Sequence, residues 1–531
     1  MIPDDLRAQV QAWIDDEVDP AAADELLDLL ARSDEAELAD RFSGPLTFGT
    51  AGLRGPLRAG PNGMNRAVVR RTAAGIAGWL VAQGHAGEPV VVGYDGRHGS
   101  PEFAQDSAAI FAAVGFEARL LPRLLPTPLV AFAVQHLGAA AGVMVTASHN
   151  PPEDNGYKVY AADGAQIVPP TDTEIESAIR AVGPTSEIPL VPQGFAVLDD
   201  SIVDAYVEAV ADLIAPGPRD VRIVHTAMHG VGTEVLRKVF AAAGFAALIA
   251  VPQQEQPDAD FPTVAFPNPE EPGALDLALA LARAKRADVI IANDPDADRC
   301  AVAVPLPSGE WRMLRGDEVG VLLADALLGK GVRGTYATTI VSSTMLRAMA
   351  ERHGVGYAET LTGFKWISRA APDLVFGYEE ALGYAVAPEL VRDKDGISAA
   401  LLVAELVAAL KAQGSSLPRR LDELAQEYGR YATDQVAVRV DDLTIITQAM
   451  ARLRARPPAT LLGEAVTVTD LLPDADVVRL TWTAGRAVVR PSGTEPKLKA
   501  YLEVVVADGS AATAATRLSL LRKEISTLLG I

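Results

Sequence analysis

The sequence predicts three α/β domains with mixed, mainly parallel sheets, followed by a C-terminal α+β domain. From about residue 66, apolar segments of strand length alternate with Ala-rich segments that are long enough to form helices. Strands that alternate with helices are typical of βαβ units and of parallel sheets. After about residue 430, short strands of alternating polarity replace this pattern, and an amphipathic helix over residues 511–529 follows them. The strand segments of the α/β region include 89–95, 117–122, 221–226, 287–294 and 334–341.

Four domains are predicted from the length of the chain and from breaks in this pattern. A chain of 531 residues is too long for one hydrophobic core. Residues 4–40 precede the first α/β domain, and apolar residues at helical spacing, such as Leu6, Val10 and Trp13, predict two amphipathic helices there. The predicted domains are residues 1–204, which include the helical extension, then 205–313, 314–424 and 425–531.

The composition argues against several classes of partner and site. The net charge of −22 disfavours a nucleic-acid partner, because phosphate backbones select basic protein surfaces. No apolar run has the length of a membrane span, and residues 1–20 lack the basic and apolar regions of a signal peptide. Cys300 is the only cysteine, which excludes internal disulfides and a metal site made of cysteines alone. We therefore expect a soluble, cytoplasmic protein, whose oligomeric state the sequence leaves open.

The segment TASHNP, residues 146–151, is the first candidate site and is called the serine loop below. It follows a buried strand predicted over residues 139–145, and ligands of α/β sheets bind at the carboxyl ends of strands. Ser148 would need a base, a cation or a metal beside it to act as a nucleophile. Lys158 is close enough in sequence to fold back beside Ser148. A turn that caps the following helix is the alternative interpretation.

The segment DPDADR, residues 294–299, is called the aspartate loop and follows the strand predicted over 287–292. Its three carboxylates at alternate positions are hard oxygen ligands suited to Mg²⁺. A calcium EF-hand would have Gly and Glu where this loop has Arg299 and Pro305. An aspartyl-phosphatase motif would have Thr or Val in place of the third aspartate, and a solvated acidic turn is the remaining alternative. The three residues are Asp294, Asp296 and Asp298.

Three further segments suit the binding of a phosphorylated sugar. RPSGT, residues 490–494, is called the arginine loop and offers donors for a phosphate dianion, although a plain β-turn is an equal alternative. FGTAGLRG, residues 48–55, surrounds Arg54 with glycines that let the backbone approach an anion. YEEALG, residues 378–383, is called the glutamate loop and carries paired carboxylates that could bind sugar hydroxyls, although exposed acidic turns are common.

Together and in this order, the segments resemble the α-D-phosphohexomutase superfamily along nearly the whole chain. In that family a TASHNP loop carries a serine that is phosphorylated in the active enzyme, and a three-aspartate loop binds Mg²⁺. A glutamate-containing loop binds sugar hydroxyls, and an R-x-SGT loop holds the substrate phosphate. Further segments resemble a subgroup that includes phosphopentomutase-like and some phosphoglucomutase or phosphomannomutase members. They are HTAMHGVG (225–232), FPNPEEPGALD (266–276), TGFKWI (362–367) and DKDG (393–396).

The resemblance implies an isomerase, an intramolecular phosphotransferase that interconverts the 1-phosphate and 6-phosphate of glucose or mannose. It implies a phosphorylated Ser148, a sugar bisphosphate as intermediate and activator, and Mg²⁺ held by Ser148 and the three aspartates. Lys158 is the candidate general acid/base, because burial among cations would lower its pKa. His149 would orient the serine loop, and Arg54 would support the transferring phosphate. The implied substrate-binding residues are Arg299, Lys365, Glu379, Glu380, Arg490, Ser492, Gly493, Thr494 and Lys497.

The identity of the sugar stays open at this point. Many hexomutases have Gly-Glu-x-Ser-Gly in the glutamate loop, and some add a histidine; here Ala381 replaces the serine and Gly383–Tyr384 stand at the histidine position. The main alternative is a phosphopentomutase that acts on ribose or deoxyribose phosphate. A catalytically silent phosphosugar-binding protein is disfavoured by the intact Ser148 and aspartates, and a simple phosphatase by the second phosphate-handling loop. Because the two ends of one small phosphosugar must alternate, we expect a central cleft between the four domains and a mobile last domain.

Overall fold

The computed structural model describes residues 2–47, 52–440, 442–492 and 497–530. The chain divides into two compact units, called the first and second unit below. The first unit comprises Met1–Met313 and Gly383–Ala409, and the second comprises Leu314–Leu382 and Leu410–Ile531.

The chain begins with three helices, where two were predicted. The additional break lies at Ser33, which has a left-handed φ of 57° and ends the second helix. Asp34 then starts a short third helix, because its side chain accepts a hydrogen bond from the backbone N–H of Glu37. Apolar side chains of all three helices, such as Val10, Leu26 and Leu38, form a small core of their own. The helices are α1 (Asp4–Asp16), α2 (Pro20–Arg32) and α3 (Glu35–Arg41).

A six-stranded mixed sheet follows, in the order β1-β5-β4-β2-β3-β6. Strand β2 is parallel to β3 and β4, whereas β5 returns antiparallel to β4 and β1. Every residue of β4 is buried, as its unbroken apolar run predicts. The strands are β1 (Leu53–Pro56), β2 (Pro89–Tyr94), β3 (Glu117–Leu120), β4 (Ala141–Val145), β5 (Asp154–Ala161) and β6 (Ala196–Val197). The helices of this region are α4 (Arg66–Ala82), α5 (Ser100–Val114), α6 (Thr127–His136), α7 (Thr171–Arg180) and α8 (Ser201–Ala211).

The second sheet of the first unit has five strands in the order β11-β10-β9-β7-β8. Strand β9 is parallel to β7, and β10 turns back antiparallel to β9. The aspartate loop is therefore the connection between two neighbouring buried strands, β9 and β10. The elements are β7 (Ile223–Thr226), α9 (Gly232–Ala242), β8 (Ile249–Ala250), α10 (Asp276–Lys285), β9 (Val289–Ala292), β10 (Ala301–Pro305) and β11 (Trp311–Met313).

The second unit begins with a parallel sheet in which β12 lies between β13 and β14. The glutamate loop begins with the last two residues of β14. Within the described residues, no single helix is long and apolar enough to cross a membrane; α14 and α15 pass such a test only as a pair, bent by 88°. The elements between residues 314 and 429 are α11 (Gly316–Gly329), β12 (Thr335–Thr339), α12 (Met345–His353), β13 (Gly356–Thr360), α13 (Phe364–Ile367), β14 (Leu374–Glu379), β15 (Gly383–Ala385), α14 (Gly396–Ala412) and α15 (Leu417–Tyr428).

The terminal sheet is antiparallel throughout, in the order β16-β22-β21-β20-β19, and helix α17 packs on it. The predicted α+β domain and the predicted helix over 511–529 are thereby confirmed. The elements are β16 (Arg430–Arg439), α16 (Leu443–Ala455), β17 (Thr460–Leu461), β18 (Glu464–Ala465), β19 (Thr467–Asp470), β20 (Val478–Trp482), β21 (Gly485–Pro491), β22 (Lys497–Val506) and α17 (Ala511–Leu529). The multi-domain α/β fold class is confirmed, whereas the exact domain boundaries, the central cleft and the mobility of the last domain stay predictions.

Candidate active site

The serine loop leaves the buried end of β4 in a tight turn. Ser148 has a left-handed φ of 52°, which is uncommon for a residue with a side chain. The backbone N–H of Ser148 donates to Oγ1 of Thr146 at 2.9 Å. The Ser148 hydroxyl donates to Oδ2 of Asp294 at 2.7 Å, so the serine loop and the aspartate loop meet in the fold.

The three carboxylates of the aspartate loop lie together and are fully buried. One oxygen of each lies within 4.8 Å of the others, a grouping that could hold a metal ion. In the described part of the chain, Oδ1 of Asp296 and Oδ1 of Asp298 are buried and have no hydrogen-bond partner. A buried carboxylate oxygen without a donor is costly, and a hard cation would satisfy it. The solvated acidic turn considered from the sequence is therefore wrong, and the residues fit Mg²⁺.

Two buried lysines contact these carboxylates. Nζ of Lys158, on β5, lies 2.8 Å from Oδ2 of Asp296 and 2.9 Å from Oδ2 of Asp298. Nζ of Lys394 lies 3.1 Å from the same oxygen of Asp298. Burial by itself would lower the pKa of Lys158, but the two aspartates outweigh burial and raise the pKa. The expected lowering of this pKa is therefore wrong for the arrangement described here, because anions and not cations dominate its surroundings.

The charges of the carboxylates and of Lys158 shift the pKa values of Asp294 and Asp296 in opposite directions. Burial, followed by repulsion from Asp296 and Asp298, raises the pKa of Asp294 well above its usual value. Burial by itself would raise the pKa of Asp296 as well. The charge of Lys158 outweighs burial and holds this pKa below its usual range. A divalent cation among the carboxylates would remove the repulsion that makes ionisation of Asp294 unfavourable.

Several side chains that the sequence did not single out hold the aspartate loop in place. The Asn293 side-chain amide donates to the carbonyl oxygen of Arg299 at 2.7 Å, which ties one end of the loop to the other. The Asn293 side-chain oxygen lies 3.0 Å from Nε2 of His225, and burial lowers the pKa of His225 to about 4, so the ring is neutral. The Thr127 hydroxyl donates to Oδ2 of Asp296 at 2.6 Å.

The HTAMHGVG segment also supports this loop. The backbone N–H of Val231 donates to the carbonyl oxygen of Pro295 at 2.8 Å. A side chain at Gly230 would lie 2.3 Å from the Pro295 backbone, so only glycine fits there. The segment was noted in the sequence for its resemblance alone, and no sequence pattern indicates which loop it touches.

The three remaining candidates of the first unit surround the serine loop. Nη1 of Arg54, on β1, donates to Oδ1 of Asn150 at 2.8 Å. Nδ1 of His149 lies 3.3 Å from Oγ of Ser148, and burial together with Arg299 and Arg54 lowers its pKa well below the usual value. Nε of Arg299 lies 3.9 Å from Oδ2 of Asp294. All candidate catalytic and metal-binding residues of the first unit therefore converge on one place.

The glutamate loop lies in the second unit, and its first half is fixed by neighbouring hydroxyls. Glu379 is the last residue of β14. The backbone N–H of Glu380 donates to Oγ of Ser342 at 3.2 Å, and Oε2 of Glu380 lies 3.1 Å from the same hydroxyl. The hydroxyl of Thr339 lies 3.3 Å from Oε2 as well. Lys365 is nearly buried on α13, with Nζ 5.7 Å from the centre of the Trp366 ring.

The arginine loop connects β21 and β22. Arg490 pairs with Lys499 across these strands. The backbone N–H of Ser492 donates to the carbonyl oxygen of Lys497 at 2.8 Å, which brings Ser492 and Lys497 together. Gly493 and Thr494 lie outside the described residues. The predicted turn falls on residues outside the described ones, and its use as a phosphate site stays a prediction.

The chain is similar to known proteins along nearly its whole length. Models described as phosphoglucomutase/phosphomannomutase alpha/beta/alpha domains I, II and III match residues 45–185, 204–307 and 315–428, and the model of the C-terminal domain matches 436–518. A probable phosphomannomutase of Haemophilus influenzae is 49% identical over 83% of this chain and 93% of its own. The phosphopentomutase of Mus musculus is 35% identical over 99% of this chain and 93% of its own. A crystal structure assigned as a phosphomannomutase of Thermus thermophilus has a TM-score of 0.73 at 28% identity, covering 91% of this chain and 99% of that one.

Proposed function

Because the chain belongs to the phosphoglucomutase/phosphomannomutase family of the α-D-phosphohexomutase superfamily, it is a mutase, and we propose that it interconverts the 1-phosphate and 6-phosphate of glucose or mannose. A phosphorylated Ser148 and a sugar bisphosphate carry the reaction. The observation that supports this most strongly is the 2.7 Å hydrogen bond from the Ser148 hydroxyl to Asp294, within a buried set of three carboxylates.

The phosphoryl group moves between Ser148 and the two ends of the sugar. Phosphorylated Ser148 transfers its phosphoryl group to the free hydroxyl of the bound sugar monophosphate. The bond from phosphorus to Oγ breaks and a bond to the sugar oxygen forms. The proton that the sugar hydroxyl loses balances the proton that Oγ gains. The bisphosphate then turns round, and its other phosphoryl group returns to Oγ. The net result is an isomerisation in which the enzyme ends as it began.

Lys158 is our candidate for the group that donates and accepts the proton in this exchange. Ser148 contacts the aspartate loop through Asp294, and Lys158 contacts it through Asp296 and Asp298. Both groups therefore contact the same set of three carboxylates. A charged Lys158 can donate a proton to Oγ when the phosphoryl group leaves and take it back when the group returns. His149, whose lowered pKa leaves it neutral, suits an orienting role beside Ser148.

Asp294, Asp296, Asp298 and an oxygen of phosphorylated Ser148 would hold Mg²⁺. When bound there, Mg²⁺ supplies neutralisation of the negative charge on the transferring group. The chain itself places Arg54 and Arg299 beside the same loops, where their charges support an anionic group.

The remaining residues would bind the other parts of the substrate. We assign sugar hydroxyls to Glu379 and Glu380, and a cationic contact to Lys365. The phosphate far from Ser148 would bind at the arginine loop, through Arg490, Ser492, Gly493, Thr494 and Lys497. A phosphosugar is thus the partner we propose, and a cytoplasmic location agrees with that metabolic role.

A pentose phosphate is the second candidate substrate, and two observations favour it. Ala381 stands where many hexomutases have a serine in the glutamate loop, which removes a hydroxyl that could bind the sugar. The phosphopentomutase of Mus musculus also matches nearly the whole chain, including the N-terminal helices.

The test combines a substrate panel with a mass measurement. We expect higher kcat/KM on glucose or mannose 1-phosphate than on ribose 1-phosphate; the reverse order would replace the hexose by the pentose. Incubation with glucose 1,6-bisphosphate should add one phosphoryl group to the intact protein, at Ser148. Ser148→Ala should not gain it and should lose at least about a thousandfold in kcat. The exposed Ser177→Ala is the matched control, and a fully active Ser148→Ala would refute the phosphoserine.

A further inference from the structure

Arg97 lies in the GYDGRHGS segment, residues 93–100, to which the mechanism assigns nothing. We propose that Arg97 is a positioning residue of the phosphoryl-transfer step, because its guanidinium holds four carbonyl oxygens around Ser148. The proposal rests on the proposed function, since it concerns transfer to and from Ser148. The hydrogen bonds of the Arg97 side chain go neither to the transferring group nor to a carboxylate of the aspartate loop.

The hydrogen bonds of Arg97 converge on the backbone of one loop. Nη2 donates to the carbonyl oxygen of Ser148 at 2.6 Å and also to that of Asn150. Nη1 donates to the carbonyl oxygens of Pro151 at 2.7 Å and Asp154 at 3.0 Å. Each of the four acceptors is main chain, so Arg97 fixes the path of the loop and not the orientation of a side chain.

The loop needs such a holder because its own geometry is unfavourable. Ser148 is held at a positive φ, a conformation that is unfavourable for a residue with a side chain unless the surroundings compensate. Carbonyl oxygens at a buried turn also need hydrogen-bond donors. Only a guanidinium offers donors in a planar fork that can reach four such oxygens from one point.

Arg97 is in turn fixed from its other sides. Its side chain is 1% exposed, and Nε lies 3.5 Å from Oδ2 of the equally buried Asp95. Oδ1 of Asp95 accepts the backbone N–H of Arg97 and the hydroxyl of Ser100. The ring of Phe261, from the region between β8 and α10, lies 5.0 Å from the guanidinium carbon. These contacts hold the guanidinium of Arg97 in one orientation. Its hydrogen bonds then hold the backbone of the serine loop in one conformation.

A role limited to packing is the alternative, and the two interpretations predict different kinetics. If Arg97 only filled space, its replacement would lower stability and leave the folded enzyme able to transfer at the normal rate. If it positions Ser148, replacement would slow transfer while binding of the sugar phosphate stays unchanged, because its contacts go to the loop and not to the substrate.

The first experiment measures phosphorylation of Ser148 in a single turnover. Dephosphorylated full-length enzyme is mixed with glucose 1,6-bisphosphate, and intact mass is followed over time. Arg97→Lys keeps the charge but loses the fork, and we expect the rate to fall by about a hundredfold, the size of effect that a 1 Å misplacement produces. Binding of a hexose phosphate, measured by calorimetry, should be unchanged. The matched control is Arg41→Lys, a buried arginine of the N-terminal helices, which should phosphorylate at the normal rate.

The second experiment uses chemical rescue. Millimolar guanidinium or methylguanidinium should restore transfer to Arg97→Ala with a saturable dependence, whereas urea, which is planar but uncharged, should not. Wild-type enzyme should show no response at these concentrations. Arg97→Lys transferring at the normal rate, or an Arg97→Ala whose slow transfer no guanidinium compound restores, would overturn the proposal.

A milder variant covers the case in which the Arg97 substitutions do not fold. Phe261→Leu keeps every Arg97 donor and removes only the ring against which the guanidinium lies, so transfer should slow several-fold without a change in sugar-phosphate affinity. A normal transfer rate in Phe261→Leu would then count against the proposal. If the wild-type enzyme itself never gains a phosphoryl group at Ser148, the proposed function has failed instead, and the two failures are distinguishable.

Discussion

Asp294, Asp296 and Asp298 are chemically identical side chains that the fold gives different properties. All three are fully buried, but Asp296 contacts Lys158 and Thr127, whereas Asp294 accepts from the hydroxyl of Ser148. The pKa of Asp296 is therefore lowered and that of Asp294 raised. Three buried carboxylates this close together could hold a metal ion, whose charge would add to those of Lys158 and Lys394.

Asp296→Asn should weaken Mg²⁺ binding and lower kcat together. The amide keeps the shape and one oxygen but loses the charge that a hard cation requires. Activity measured against Mg²⁺ concentration should shift to higher concentrations, and the rise in unfolding temperature that Mg²⁺ gives the wild type should shrink. Asp28→Asn, an exposed aspartate of α2, is the control and should behave as wild type. Identical Mg²⁺ dependence in Asp296→Asn and the wild type would mean that the aspartate loop binds no metal.

At the scale of elements, the site is built from loops that leave the ends of strands. The serine loop follows β4, the aspartate loop follows β9 and the glutamate loop follows β14. This much was predictable, because each loop stands in the sequence directly after an apolar run of strand length. The supports of these loops were not predictable. Thr127 carries no local pattern that indicates the distant loop it contacts, and Lys394 gains its neighbour Asp298 only when the chain folds.

The turn after β12 offers a test of how the glutamate loop is held. Ser342→Ala removes the hydroxyl that contacts both the backbone N–H and the carboxylate of Glu380. Losing a hydrogen bond to a charged group should destabilise this conformation of the glutamate loop by about 1.5–3 kcal/mol. We expect KM for the phosphosugar to rise about tenfold. The rate at which the bisphosphate phosphorylates Ser148 should be less affected. The neighbouring Ser343→Ala is the control, because the Ser343 hydroxyl accepts a hydrogen bond from the backbone N–H of Met345 instead. Equal KM values for the two variants would show that Glu380 does not depend on Ser342.

At the scale of the whole molecule, the alternation of strands and helices predicted the fold class, but not the details of each sheet. The return of β5 antiparallel to β4, which brings Lys158 beside the aspartates, depends on pairing that no local pattern records. The third N-terminal helix was missed because Ser33 gives no sequence signal for a left-handed break. The family models match four successive domains, as the chain length and the breaks in the pattern predicted, whereas the exact boundaries and the cleft stay predictions.

The second unit is held together by buried charges between its parallel sheet and its terminal sheet. Glu359 on β13 contacts Arg479 and Arg486 at 2.9 Å each. Glu503 on β22 accepts hydrogen bonds from the backbone and the hydroxyl of Thr344 at the start of α12. These contacts join the parallel sheet of the second unit to its terminal sheet.

Asp317 should make the stability of the protein depend on pH. It is buried in the first turn of α11 and accepts the backbone N–H of Ser343 at 2.6 Å. Burial, reinforced by the charges of Glu380 and Glu503, outweighs this hydrogen bond and raises the pKa of Asp317 to about 7. In the unfolded chain the carboxyl has its ordinary pKa of about 3.9. Between these values the native state binds a proton that the unfolded state does not, so stability falls as pH rises, by up to about 1.4 kcal/mol per pH unit.

Asp317→Asn tests this because the amide still accepts from Ser343 but never ionises. Urea unfolding of both proteins at about pH 5 and about pH 8 should show that the stability of the variant relative to the wild type is greater at the higher pH. Glu318→Gln, the adjacent and more exposed carboxylate of α11, is the control and should keep the wild-type pH dependence. If Asp317→Asn loses as much stability as the wild type between these pH values, the buried carboxyl is already ionised or compensated at the lower pH.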